Sequence, residues 1–165
     1  MASWWPPEHH ILDAPLGQMV VEPREGGRIY DVGTDGSECQ WARVLAYEPP
    51  TVFVFSWDIN LQWQIETDHE RTSEVVIRFT AEDDGRTRVD LEHRNLDRHG
   101  DGWEKMRDAV GSPGGWGVGL ERFAGAAAAC VIDGGACHDL AGAATRPEVR
   151  RPPGGSPGCR GRPGS

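Results

Sequence analysis

His93 is the side chain best placed by its spacing to do chemistry. It stands in the alternating stretch Arg88–Arg94, sharing a face with Val89 and Leu91 while Arg88, Asp90, Glu92 and Arg94 take the other. An imidazole has an ordinary pKa near 6.5, so on an inward face it can move protons or hold the polar end of a ligand. A hydrogen-bonded histidine buried in a core has the same sequence pattern. The tryptophans at 41, 57, 63, 103 and 116 offer flat rings with one N–H donor each, which suits a pocket for an apolar molecule and equally suits a packed core. Trp57 ends a strand that is apolar on both faces, and Trp116 opens a helix. The residues expected to line a cavity are Trp41, Phe55, Trp57, Ile77, Leu91, His93, Trp116 and Leu120.

Other chemistries find less support. Glu8, His9 and His10, or His93, Asp97, His99 and Asp101, lack zinc-site spacing, and Cys130 and Cys137-His138 lack a second pair. No metal and no other cofactor is expected. No G-x-S-x-G elbow is present, and Gly111–Gly119 lacks the G-K-[ST] of a phosphate cradle. The acidic groups Glu48 and Asp58, and Glu82, Asp83 and Asp84, fall at strand ends and read as a solvated rim.

Charge excludes a further class. Residues 1–125 carry 12 basic and 23 acidic side chains, a net charge of −11, which repels phosphate backbones and argues against nucleic-acid binding. Cys39, Cys130, Cys137 and Cys159 are spread singly, unlike the dense framework of a small secreted domain. No apolar run reaches the roughly 18 residues of a membrane span, and the first residues lack a basic-then-apolar leader. A cytoplasmic location follows as the expectation.

The elements that must position these residues are mostly strands. Met19–Glu25 and Arg28–Val32 form a hairpin around Gly26-Gly27, followed by strands over Glu38–Glu48, Thr51–Asp58, Ser73–Ala81 and Arg88–Arg94. Pro49-Pro50, a polar loop from Asn60 to Thr72, and Asp84-Gly85 punctuate them. Helix signals begin at Asp101–Val110 and again at Ser112-Pro113, a cap followed by proline at the first helical position. Trp116, Leu120, Phe123 and Ala127 then recur on one apolar face, although glycines at 114, 115, 117 and 119 weaken its first turn. The expected organisation is one domain over 1–125 and a low-complexity tail over 126–165, disordered where Pro, Gly and Arg dominate.

Six antiparallel strands and then an apolar-faced helix describe an α+β domain. The WWP near the start, EPREGGRIYD, W-A-R-V-L-x-Y-E-P-P, VFSWD, TSEVVIRFTAE, G-x-T-R-V-x-L-E-H and GGWGVGLERFA resemble the activator of heat-shock protein 90 ATPase homologue 1-like family, over about residues 4–124. That family belongs to the START-like (SRPBCC) superfamily. The resemblance implies a helix-grip fold, a curved antiparallel sheet wrapped around a long C-terminal helix, with the L-E-H element of His93 beside the cavity. It also implies a strand and short helix ahead of the WWP element, so the chain is expected to be truncated at its N-terminus and to lack its first strand. Unpaired sheet edges would then invite a homodimer.

The function expected is binding of a small hydrophobic molecule in an apolar cavity, in a stress-linked accessory role without catalysis. One alternative is a polyketide cyclase or dehydratase-like enzyme using His93. The other is a protein-interaction module of the co-chaperone kind.

Overall fold

Short stretches that alternate apolar and polar side chains, and one that is apolar on both faces, dictate the strands, and a 3.6-residue period takes over after residue 100. The computed structural model describes residues 5–6, 8–132 and 159. Its strands are β1 (Leu16–Val21), β2 (Arg28–Gly33), β3 (Glu38–Glu48), β4 (Val52–Trp57), β5 (Ser73–Ala81) and β6 (Thr87–Arg94), followed by helices α1 (Trp103–Val110) and α2 (Val118–Ile132). Each strand neighbours the next in the sheet order β1-β2-β3-β4-β5-β6, and the pairs β3/β4, β4/β5 and β5/β6 are antiparallel. This is the expected α+β class. The chain divides into two compact units, one from segments 1–21, 30–40 and 109–165, the other from 22–29 and 41–108.

In the first unit Ile11, Leu12, Met19, Tyr30, Cys39 and Val110 are buried. Trp5 meets Trp116 edge to face with ring centroids 6.2 Å apart, and its indole N–H donates to the His9 carbonyl. Arg122 on α2 pairs with Glu8 at 2.8 Å. The helix expected from Pro113 starts instead as a wide turn over Pro113–Gly117, with Gly115 outside helical dihedrals, before α2 proper begins at Val118. A Cβ on Gly115 would collide with the Val110 carbonyl, so this turn requires glycine.

The cysteines correct the sequence reading. Cys39 and Cys159 form a disulfide across 120 residues, and Leu12 pairs with Cys159 in an isolated antiparallel bridge. Single spacing hides such a pair because chain folding, not sequence distance, brings the two sulfurs together. The remainder of the expected tail, 133–158 and 160–165, lies outside the described residues.

The second unit holds the β4/β5 and β5/β6 pairings. Phe53, Val54, Phe55, Trp57, Val75 and Val76 are buried in β4 and β5, and Met106 is buried on α1. Gly26 takes φ +70°, as the Gly26-Gly27 turn requires, and its N–H donates to the Val44 carbonyl at 2.9 Å. The strand expected to reach Glu25 ends at Val21, and the connecting turn closes through the Glu22 N–H donating to the Arg28 carbonyl. In the 60–72 loop, Ile59 bridges Ile65, and Asp68 caps a short turn over His69–Arg71. No helix among the described residues is long and apolar enough to cross a membrane.

Candidate functional site at the end of an apolar sheet face

Antiparallel register puts three rows of side chains on one face of β4, β5 and β6. Phe53 lies opposite Ile77, Phe55 opposite Val75 and Trp57 opposite Ser73. Across the next pair Val75 lies opposite His93, Ile77 opposite Leu91 and Phe79 opposite Val89. Phe53, Phe55, Trp57 and Val75 are buried, whereas Ile77, Phe79, Val89, Leu91 and His93 are only half-buried. The face is therefore apolar along its length, aromatic on β4 and partly open on β5 and β6. Trp41 packs edge-on against Phe55 and Trp57, at 6.1 and 5.9 Å between centroids.

The end of this face is polar. Because Val75 is the direct partner of His93, Ser73 is its diagonal neighbour on the same face, within reach of a long side chain. The Ser73 hydroxyl lies 2.8 Å from His93 Nε2 and 2.8 Å from His99 Nε2. The indole of Trp57 meets the His93 ring at 5.5 Å, inclined by 60°. His99 arrives because Asn95, in the left-handed region at φ +60°, turns the chain after β6 into the short turn Leu96–His99. Ser73 and His99 are both buried, at 0% and 3% exposure.

Electrostatics keep both imidazoles neutral. Burial, with a smaller contribution from neighbouring His99, pushes the His93 pKa down to about 4. Burial also lowers that of His99, where the Glu66 carboxylate opposes the shift and Arg71 adds to it. A hydroxyl has one hydrogen and two lone pairs. Between two neutral imidazoles Ser73 either donates to one and accepts from the other, with the two rings holding their protons on different nitrogens, or accepts from both Nε2–H groups.

A second buried polar cluster is charged. Arg43 binds Asp58 with two nitrogens, Nε to Oδ2 at 2.9 Å and Nη2 to Oδ1 at 3.0 Å, while its backbone N–H donates to Ser56 Oγ. Thr72 Oγ1 lies 3.5 Å from the same guanidinium and donates to the His69 carbonyl. The hydrogen bonds to Asp58 raise the Arg43 pKa above its ordinary value. Asp58 is 5% exposed, so its reading as a solvated rim is corrected: the carboxylate is buried with its charge met by the two nitrogens of Arg43. The polar side of β5 and β6 carries Glu74, held by Arg94 and Arg98, and the Arg78–Glu92 pair.

The structure brings Trp41, Phe55, Trp57, Ile77, Leu91 and His93 into one unit. Trp116 and Leu120 belong to the other unit, Trp116 against Trp5 and Leu120 half-buried on α2. The sequence reading set His99 beside His93 only in a group that lacks zinc-site spacing, and did not join Ser73 to either. Their only signal was the period-two match between β5 and β6, which does not show where the chain turns after Asn95. No group of three or more His, Cys, Asp or Glu side chains among the described residues could hold a metal ion.

An antiparallel sheet of six strands, a C-terminal helix and an apolar face ending in a polar group define a START-like helix-grip protein of the α+β class. Residues 1–128 match the profile of the activator of Hsp90 ATPase homolog 1-like protein, and the chain belongs to that family. Among solved structures it is similar to an anthrahydroquino-γ-pyrone synthase, Txn09, complexed with SUM, at 39% identity and a TM-score of 0.50 over 74% of this chain and 79% of that one. It is also similar to protein NE0264 from Nitrosomonas europaea, at 16% identity and a TM-score of 0.47 over 73% of each chain. A comparison with curated proteins finds no significant match.

Proposed function

We propose that the protein binds a small, flat, apolar molecule against the β4–β6 face, with His93 orienting the polar group of that molecule. The observation that carries this is the half-burial of Ile77, Leu91 and His93 in register with the buried aromatic row Phe53, Phe55 and Trp57. Covering such a face returns about 25 cal/mol per Å² of apolar area removed from water, and one fixed imidazole supplies direction. An enzymatic reading, of the cyclase kind, is favoured by a separate observation: two neutral imidazoles share one hydroxyl. The similar synthase at 39% identity supports it.

The binding test uses the dye ANS and the bicyclic ketone 2-tetralone. The folded protein is expected to bind ANS, 2-tetralone to displace it, and Leu91→Asp to weaken both by at least about tenfold, since a charge on this face must be desolvated. A folded wild-type protein that binds neither probe counts against the reading.

A further inference from the structure

We infer that Ser73 passes protons between His93 and His99, making the polar end of the apolar face a proton-transfer site for a flat ligand with an enolisable ketone. The inference rests on the binding reading above and names the chemistry that reading would serve.

The geometry is that of a wire. Both imidazole Nε2 atoms lie 2.8 Å from one hydroxyl oxygen, which is hydrogen-bond contact on each side. Ser73 and His99 are sealed from solvent, while His93 is half-buried on the same face as Leu91 and Ile77. A proton reaching His93 therefore has a dry path inward. A single hydroxyl serves two rings here, and two of its hydrogen arrangements join them in one donor-to-acceptor chain. In one, Ser73 donates to His93 and accepts from His99, and in the other the roles reverse.

The step balances without any redox partner. His93, as its Nε2–H tautomer, takes a proton at Nδ1 from the carbon beside the ketone of the ligand. The C–H electron pair becomes the C=C bond of an enolate, and the carbonyl π pair moves to oxygen. The hydrogen on His93 Nε2 passes to Ser73 Oγ, whose own hydrogen passes to His99 Nε2. Positive charge then rests on His99, where burial penalises it most, Glu66 favours it and Arg71 opposes it. Return of a proton to the same carbon gives exchange, and to another atom gives isomerisation or closes a ring onto the enol. Ser73 and His99 are positioning residues in this scheme, and only His93 touches the ligand.

The test is deuterium exchange at the carbons beside the ketone of bound 2-tetralone in D₂O, followed by NMR, together with ¹⁵N shifts of the two imidazoles in the ligand-free protein. Wild type is expected to exchange 2-tetralone faster than buffer and to show the two rings as opposite tautomers. Ser73→Ala is expected to lower the exchange rate by about 100-fold, the lower end of general acid–base contributions, with the 2-tetralone Kd unchanged. Ser73→Thr, which keeps the hydroxyl, restores exchange. His99→Gln provides a second variant if Ser73→Ala does not fold, with the same loss expected. Bound 2-tetralone that exchanges no faster than in buffer overturns the relay and leaves the binding reading standing. Equal exchange in wild type and a folded Ser73→Ala or His99→Gln variant overturns it too, as do two rings with the same tautomer. A folded protein that does not bind 2-tetralone overturns both the binding reading and the relay.

Discussion

The two compact units hold their polar and long-range contacts by different means. The first closes its longest connection covalently, through Cys39–Cys159, and adds an exposed ion pair between Arg122 and Glu8. The second has no disulfide among its described residues and instead buries two polar clusters, Arg43–Asp58 with Ser56 and Thr72, and Ser73 with His93 and His99. A covalent link is indifferent to dielectric and to pH below the thiol range. Buried polar clusters depend on both, because each group gave up water and must be repaid by its partner. Within the second unit the contrast continues: the Arg43 cluster is charged and closed, and the Ser73 cluster is neutral and titratable.

The comparison breaks most visibly on reduction. Opening a loop of 120 residues removes a constraint on the unfolded chain worth about 4–5 kcal/mol in the chain-entropy account. Thermal unfolding with and without reductant is expected to show that loss, and Cys39→Ser to reproduce it. An unchanged Tm would remove the covalent half of the contrast.

Arg43→Ala comes next. It strands the buried Asp58 carboxylate and is expected to cost about 3 kcal/mol in denaturant unfolding, with Asp58→Asn recovering part of that loss in the double variant. Full additivity of the two changes would mean that the pair is not coupled.

The neutral cluster is expected to respond to acid. The folded His93 pKa lies near 4 and the unfolded one near 6.5, so between these values the unfolded chain binds a proton that the folded chain refuses. Stability is complete above pH 6.5, falls as pH drops, and stops falling on this account below pH 4. The loss is on the order of 3 kcal/mol. His93→Gln is expected to flatten that part of the stability curve, and an unchanged slope would show that His93 is not the source. The smallest effect is expected from Glu74→Gln, under about 1 kcal/mol and weaker still in high salt, because its partners Arg94 and Arg98 are solvent-exposed.

Much of this architecture was legible in order of residues. Ser73–Ala81 is found with the boundaries its alternation predicts, and Glu38–Glu48 likewise. The inward face of β6, with Val89, Leu91 and His93, follows from period two alone. Other features escaped for physical reasons. Gly115 shifts the start of α2 from Pro113 to Val118, since a residue without Cβ allows a backbone that helical spacing does not reveal. Asp58 looked like a rim residue because a strand-end carboxylate in sequence carries no mark of the arginine that will cover it. Ser73 is a common residue at the head of a strand, and nothing local marks it as the meeting point of two imidazoles.

The sequence by itself determined the order of the strands and the full extent of Glu38–Glu48 and Ser73–Ala81, which face of β5 and β6 is apolar, and that His93 shares the apolar face of β6 with Leu91. These are consequences of a two-residue repeat and of turn chemistry, both local. The tertiary structure alone decided that Asn95 turns His99 back onto Ser73, that Arg43 meets Asp58 across strands, and that Cys39 meets Cys159 over 120 residues. Each of those contacts joins groups far apart in the chain, and only the packing of the intervening elements sets the distance between them.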